Sequence, residues 1–223
     1  PDLEATAFEG ALVGPEQEAF ILYTSGTTGA PKGVRHGQGQ LLNRFTWLWE
    51  QYPLQQGDMM VQRTILNFLP SLWELLGGLL QGMPTVLLHD QIVKDPARLL
   101  AAIARHQISH ITMVPTLLHM LLESPGFTAE AMASVRHCIT AGEPLKPALF
   151  SAFRRKLPQV TLLNDYGCTE TNGTLWFDSA QPCEEGALPL FQPIANLQVY
   201  LLSEAGEPVA AGEQGEICIA GPA

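Results

Sequence analysis

The apolar positions of the chain fall into short runs separated by amphipathic stretches. Ala19–Tyr23 is an apolar run of strand length, and it leads into Thr24–Gly33, a stretch too rich in glycine, serine and threonine for regular structure. Gln40–Trp49 reads as a helix. From Thr85 onward the pattern alternates. Thr85–His89 is a predicted strand. Asp95-Pro96 supplies an N-cap with proline at the first helical position, and Leu99, Leu100 and Ile103 follow at helical spacing in a helix over Ala97–His106. Ile108–Val114 reads as a strand, Pro115-Thr116 opens a helix to about Glu123, Val135–Thr140 is a strand, Pro147–Leu157 a helix and Val160–Leu163 a strand. Strands alternating with helices through short loops predict an α/β fold with a mostly parallel sheet flanked by helices. After about residue 186 the texture changes. Leu197–Leu202 and Glu216–Ala220 read as strands separated by turns at Gly206 and Gly212. They predict the start of a small antiparallel β subdomain, with a boundary near Gly186. No internal repeat or low-complexity tract is present.

Composition narrows the functional classes. The 223 residues are 46% hydrophobic and 15% charged, enough to bury the core of one large domain or two small ones. A formal net charge of −10 argues against a nucleic-acid binder, which needs a basic face. No apolar run approaches the length of about 18 residues needed to span a membrane, and no signal-peptide pattern opens the sequence. Pro1 in place of methionine suggests an excised piece. Cys138, Cys168, Cys183 and Cys218 are not at C-x-x-C spacing, so neither a zinc knuckle nor a redox motif is indicated. Reduced thiols and a cytoplasmic location are expected.

The segment that carries chemistry is Tyr23-Thr24-Ser25-Gly26-Thr27-Thr28-Gly29-Ala30-Pro31-Lys32-Gly33. Glycines let backbone N–H groups approach an anion closely, hydroxyls add donors, and Lys32 supplies a compact positive charge. This is a phosphate cradle but not a Walker A loop, because Lys32 is followed by glycine. Taken alone, a loop of this composition is more often a flexible linker; the strand before it and the Pro-Lys-Gly ending favour the cradle.

TSGTTGAPKG resembles the phosphate-loop signature of the adenylate-forming superfamily, which includes acyl-CoA synthetases, luciferases and the adenylation domains of nonribosomal peptide synthetases. Three further segments agree, in the family's order. Asn67–Gln81 is similar to the substrate-pocket helix, often F-D-x-S-x-W-E; Asn164–Thr171 to N-x-Y-G-x-T-E; and Gly212–Gly221 to G-E-x-G-E-[LI]-x-I-x-G. The likeness runs from about Phe20 to the C-terminus. The Leu-Leu-Asn-Arg-Phe run at 41–45 and Trp73-Glu74 pull it toward the peptide-synthetase branch.

The resemblance implies that ATP activates a carboxylic acid as its acyl-adenylate, with Mg2+ as cofactor. It places Thr24, Ser25, Gly26, Thr27, Thr28, Gly29 and Lys32 on the β- and γ-phosphates, Thr169 at the α-phosphate and Glu170 on the magnesium. Lys32, Thr169 and Glu170 are then the catalytic set. Tyr166 is expected to stack on adenine, with Gly142, Glu143, Asn164 and Gly167 around it. The acid pocket is expected to comprise Leu69, Pro70, Trp73, Thr112, Ile139, Ala141, Asp165, Gly173 and Thr174. Independently, Thr112, Ile139, Ala141, Asn164 and Asp165 fall at the carboxyl ends of predicted parallel strands, where open α/β sheets bind ligands. The bland reading makes Thr112 and Ala141 packing residues and Tyr166 a core aromatic.

The resemblance also implies partners and organisation: a small carboxylic acid, a carrier-protein phosphopantetheine arm or CoA as thiol acceptor, and no nucleic acid or membrane. Residues 1–186 would form the α/β core without the family's N-terminal subdomain, residues 187–223 the start of a β subdomain, and the C-terminal lid domain with its lysine would be missing. Those missing parts of the enzyme are partners too, and the 223 residues alone are expected to be inactive. A stand-alone acyl-CoA synthetase and a degenerate, non-catalytic adenylation scaffold are the alternatives; Lys32 and Glu170 argue against decay.

One departure bears on the acid. Synthetases for α-amino acids usually carry aspartate after the phenylalanine of F-D-x-S, paired with the substrate ammonium; here Phe68 is followed by Leu69. An ammonium buried beside leucine would be unpaired, so a standard α-amino acid in the usual pose is not expected. Asp165 could anchor a displaced amine or a guanidinium, or simply pair with a neighbouring hydroxyl or turn to solvent. His106 and His110 have zinc-helix spacing, but Gln107 stands where that motif needs glutamate. Cys168 reads as a small buried hydrophobe, and Arg154, Arg155 and Lys156 as a solvated helix end.

Overall fold

The computed structural model describes residues 10–25 and 29–222. Its first unit is an antiparallel hairpin of β1 (Glu18–Thr24) and β2 (Lys32–Gly37), in which Thr24 is registered with Lys32. The hairpin runs straight into helix α1 (Gln38–Gln51). β3 (Met60–Gln62), α2 (Pro70–Leu79), β4 (Thr85–Leu87) and the short α3 (Asp90–Val93) follow. Next come α4 (Pro96–His106), β5 (His110–Met113), α5 (Pro115–Leu122), β6 (His137–Ala141), α6 (Pro147–Lys156) and β7 (Thr161–Tyr166). β8 (Leu175–Asp178), β9 (Gln192–Pro193), β10 (Gln198–Leu202) and β11 (Glu216–Ala220) close the order.

Local chemistry explains the helix starts. Asp95 caps α4 by accepting the Ala97 and Arg98 N–H groups at 3.0 and 3.2 Å, and Pro96 occupies the first turn. Proline also opens α2, α5 and α6. Helix α4 stops where Gln107 turns left-handed at φ 53°.

The central sheet has seven strands in the order β4-β3-β5-β6-β7-β8-β9. All pairings from β4 through β7 are parallel, and β8 and β9 add antiparallel. The alternation of β6 and β7 splits the core. Cys138 and Leu162 face the cluster built by Leu99, Ile103, Leu118, Leu121, Phe150 and Phe153 of α4, α5 and α6. Ile139 and Leu163 face Trp47 of α1 and Trp176 of β8. Beside them Phe45, Leu69, Trp73 and Leu22 tie α1, α2 and the first hairpin together. Burial of these side chains contributes on the order of 1.5–3 kcal/mol each.

The parallel α/β sheet expected over Thr85–Leu163 is present, and β10 and β11 form the expected antiparallel hairpin. Four features depart from the expectation. β2 starts inside the stretch read as loop, at Lys32, and continues past it to Gly37, and β3 and β8 lie in stretches not read as strands. The central sheet also takes its last strand from Gln192–Pro193, so it continues past the change of texture at Gly186. Among the described residues no helix is long and apolar enough to cross a membrane.

Candidate active site

The carboxyl ends of β6 and β7, the N-terminus of α2 and the tip of the first hairpin enclose one cleft of about 390 Å³. Its wall includes Thr24 and Ser25 from the hairpin, Leu69, Pro70 and Trp73 from α2, and Ala141 and Asp165 from the strands. Gly167, Thr169, Glu170 and Gly173 of the signature turn complete it. Side chains from three separated motifs thus share one space. A second cleft of about 380 Å³ adjoins it across Gly142, Asp165 and Gly167, and adds Glu143, Asn164, Tyr166 and Phe191. Tyr166 is half exposed and meets Phe191 edge-on at 6.1 Å, so an aromatic corner faces this second space.

The turn between β7 and β8 is fixed by close packing. A Cβ on Gly167 would lie 2.5 Å from Gly173 Cα, and one on Gly173 would lie 2.5 Å from Asp165 Oδ2 and 2.9 Å from Trp73. Gly173 also sits at φ +71°, which favours glycine. Thr174 N–H donates to Tyr166 C=O at 2.8 Å, closing the turn. Asn164 is held from β6 by the Thr140 hydroxyl, which donates to its Oδ1 at 3.0 Å. The Trp73 indole N–H donates to Asn172 Oδ1 at 3.1 Å, locking α2 to the same turn.

Glu74, next to Trp73, is buried and does not face the cleft. It accepts the backbone N–H groups of Arg63 and Thr64 at 2.9 and 2.8 Å and the Thr64 hydroxyl at 2.8 Å. Burial pushes its carboxyl up; those N–H donors oppose the rise. Arg63 in turn donates to the Thr112 carbonyl. The Trp-Glu pair therefore places α2 against the ends of β3 and β5.

The expected site residues divide by position. Thr24, Ser25, Leu69, Pro70, Trp73, Ala141, Asp165, Thr169, Glu170 and Gly173 line the first cleft. Gly142 and Gly167 line both clefts, and Asn164, Tyr166 and Glu143 the second. The Glu143 carboxylate is already engaged, accepting the Thr116 N–H at 2.9 Å and hydroxyl at 2.6 Å at the start of α5. Lys32 and Gly29 are exposed on the hairpin outside the cleft wall. Thr112 and Ile139 lie behind Trp73, around a separate apolar cavity with Gly77 and Leu163. Thr174 is fully buried, its hydroxyl 3.4 Å from Tyr166 C=O. Gly26, Thr27 and Thr28 fall outside the described residues.

Three expectations are corrected. Cys168 is exposed on the cleft, its Sγ 3.3 Å from Thr171 Oγ1, because the turn it belongs to projects beyond the sheet. Asp165 neither turns to solvent nor pairs with a hydroxyl: Arg44 Nη2 of α1 lies 3.2 Å from its Oδ2, and both side chains are only 1% exposed. Burial pushes the Asp165 carboxyl up to about 6, against the pull of Arg44. Lys156, at the end of α6, is not freely solvated, since its ammonium donates to the Leu122 carbonyl.

Arg44, Phe191 and His36 are the site neighbours that the sequence reading missed. A signal existed for Arg44: it stands three residues from both Leu41 and Trp47, on the buried stripe of α1. His36 of β2 is buried and stacked on Phe20 at 4.6 Å, with neither ring nitrogen in hydrogen-bonding geometry to any of the described residues. Burial holds its pKa down, while the nearby Thr169 backbone and Glu170 carboxylate act the other way.

Known proteins place this architecture. The family model for AMP-binding enzymes matches residues 3–223. Tyrocidine synthase 3 of Brevibacillus parabrevis is 35% identical over 216 residues, 94% of this chain and 3% of that protein. The beta-alanyl-bioamine nonribosomal peptide synthetase ebony of Drosophila melanogaster is 35% identical over 93% of this chain and 25% of its own length. Among solved structures, AMPPNP-bound FmoA3, a nonribosomal peptide synthetase, superposes with a TM-score of 0.86 at 21% identity, over 97% of this chain and 23% of that one. ATP-bound MatB from Rhodopseudomonas palustris superposes with a TM-score of 0.81 at 25% identity, over 97% and 42%. The chain thus spans less than half the length of these relatives. With its motifs gathered at one cleft and its sequence matched from residue 3 to 223, the chain belongs to the family of AMP-binding, adenylate-forming enzymes.

Proposed function

We propose that these residues form the nucleotide and acid clefts of an enzyme that uses ATP to activate a carboxylic acid as its acyl-adenylate, for loading onto a carrier-protein phosphopantetheine thiol. The observation that carries this reading is the convergence of Thr24, Ser25, Thr169 and Glu170 with Leu69, Trp73 and Ala141 on one cleft that adjoins the Tyr166–Phe191 corner. The aromatic corner suits adenine, the hydroxyls suit phosphates, and the apolar wall suits the tail of an acid. A carboxylate oxygen would bond to the α-phosphorus as the bond to pyrophosphate breaks. Two anions must meet, so in-line positioning and charge neutralisation dominate. Lys32 supplies a cation on the hairpin flanking the cleft. The ATP-bound relative and the peptide-synthetase relatives support the nucleotide and the carrier arm, respectively.

Magnesium fits this site as a cation shared with phosphate. Glu170 offers one exposed carboxylate beside the Thr169 hydroxyl. Among the described residues no group of three or more histidine, cysteine, aspartate or glutamate side chains is placed to hold a metal ion. A hard cation with one protein carboxylate and the rest of its shell from phosphate and water is the usual magnesium arrangement.

The acid is amine-free in this reading. Leu69 is 5% exposed and offers an ammonium no partner. Asp165, the other candidate anchor, is already matched by Arg44. A 2-oxo, 2-hydroxy or plain acid meets neither problem. ATP–pyrophosphate exchange by the complete enzyme over such acids and the standard α-amino acids tests it. Exchange driven by an α-amino acid and insensitive to Asp165→Asn would refute the amine-free reading.

A further inference from the structure

Arg44 and Asp165 form a buried ion pair at the wall of the acid cleft, and their surroundings are unusual for a pair that serves only stability. The Arg44 guanidinium lies between two indoles, 4.7 Å from the Trp47 ring centre and 4.2 Å from that of Trp73. Among the described residues its Nε and Nη1 have no hydrogen-bond partner, and neither does Asp165 Oδ1. One hydrogen bond of 3.2 Å therefore stands against three unsatisfied buried polar atoms. A buried pair with so few bonds is a poor stabiliser compared with apolar side chains of the same volume. The arrangement does, however, set the charge of the wall. Asp165 lines the cleft, and Arg44 touches Trp73, which lines it as well. Gly173 leaves the room that Asp165 and Trp73 occupy: a Cβ there would meet both.

We propose that Arg44 is a specificity-determining residue: by neutralising Asp165 it holds the acid pocket at zero net charge and restricts the substrate to acids with an uncharged tail. The inference rests on the reading of the cleft as an acid pocket and deepens it. A cationic tail entering beside Asp165 meets a carboxylate already matched by a guanidinium, and an anionic tail meets a guanidinium already matched by a carboxylate. Neither recovers the solvation it loses on entering the pocket. Arg44 acts through Asp165 and is a positioning residue, not a catalytic one.

The consequence is symmetrical and can be tested from both sides. In Arg44→Met, Asp165 becomes an unmatched carboxylate and the pocket should accept a cationic tail. In Asp165→Asn, Arg44 becomes an unmatched guanidinium and the pocket should accept an anionic tail. The measurement is kcat/KM for ATP–pyrophosphate exchange by the complete enzyme that contains these residues, with hexanoate, 6-aminohexanoate and adipate and the four-carbon set butanoate, 4-aminobutanoate and succinate. 4-Methyl-2-oxopentanoate and 2-hydroxy-4-methylpentanoate serve as further uncharged acids. Arg44→Met should raise the amino-to-plain ratio, and Asp165→Asn the dicarboxylic-to-plain ratio, each by about ten- to a hundredfold, the range of one charge-assisted hydrogen bond. The double variant should lose both gains. Thermal melting checks that each variant folds, and if Arg44→Met does not, Asp165→Asn decides. Ratios unmoved in a folded single variant, a gain that persists in the double variant, or a parent that uses charged tails as well as plain ones overturns the proposal. Exchange with no uncharged acid in the parent overturns instead the reading on which it rests.

Discussion

At the scale of single residues, the proposed function depends on where charge sits around one cleft. Lys32 and Glu170 come from separated motifs and are the exposed cation and carboxylate that flank it. Lys32→Ala should raise the ATP concentration needed for half-maximal exchange, and Glu170→Ala the magnesium concentration. Each loss should amount to about 1.5–3 kcal/mol of transition-state stabilisation, as for other charge-assisted contacts. Titrations of exchange against ATP and against magnesium that match the parent's in both variants would remove these two residues from the site. Gly173→Ala should be costly for a different reason: its Cβ would meet Asp165 Oδ2 at 2.5 Å and Trp73 at 2.9 Å from a backbone already at φ +71°. Overpacking and backbone strain together predict a loss of about 2–4 kcal/mol in denaturant unfolding. The motif residues were legible in the sequence because short-range spacing carries them. The partner of Asp165 was not, because Arg44 lies 121 positions away and is brought to it only when α1 packs across β7. Cys168 was misread for a related reason: an apolar-looking side chain in a motif says nothing about which way a projecting turn aims it.

At the scale of elements, the parallel strands and their helices could be read because each helix start is marked. Asp95-Pro96, Pro115-Thr116 and Pro147 are local signals, and the strands between them are buried on both faces. The strands that escaped reading lack such signals. β3 is three residues long, β2 carries Gly33, Arg35 and Gly37, and β8 lies directly behind a turn-rich signature. Their strand character comes from pairing: β2 exists because β1 offers it a ladder, and β8 because β7 does. Helix α2 shows how finely its own packing is set. A Cβ at Gly77 would make an ordinary contact with Phe45 at 3.5 Å, whereas one at Gly78 would overlap the Met60 side chain near its root. Gly77→Ala should therefore stabilise the fold by up to about 1 kcal/mol through helix propensity. Gly78→Ala should destabilise it by about 1–3 kcal/mol through overpacking. Urea melts of the two variants that move in the same direction would contradict this placement of α2 on β3.

At the scale of the whole molecule, the two ends of the sheet differ. The carboxyl ends of the strands hold the clefts; the amino ends hold a buried polar network. His137 Nδ1 lies 3.0 Å from His110 Nε2, His110 Nδ1 2.9 Å from the Ser109 hydroxyl, and Asp58 joins Arg136 at 2.7 Å. Burial, with His137 as a neighbour, holds His110 down to about 3; burial, with Arg136 beside it, holds His137 down to about 4. Below its ordinary pKa near 6.5 the unfolded chain binds protons that the folded network refuses, so this pair supports the fold above pH 6.5 and loses that support as the pH falls toward 4. The slope is at most about 1.4 kcal/mol per pH unit for His110, and smaller for the partly exposed His137. Asp165, raised to about 6, works in the opposite sense, because the fold holds its proton more tightly than the unfolded chain does. Comparing the parent with His110→Gln isolates the histidine: between pH 6.5 and 4 the variant's stability should fall less steeply. Parallel curves would show that the ring does not stay neutral in the fold.

The proposed function requires the two adjoining clefts to bind ATP and an amine-free carboxylic acid and to join them. ATP–pyrophosphate exchange by the complete enzyme that contains these residues, run with magnesium over plain, 2-oxo, 2-hydroxy and α-amino acids, measures that joining without assuming a thiol acceptor. The expected result is label exchange that requires magnesium and an amine-free acid, with the acyl-adenylate recoverable from the mixture. Exchange supported only by α-amino acids, or by none of these acids in a protein that melts cooperatively, would contradict it.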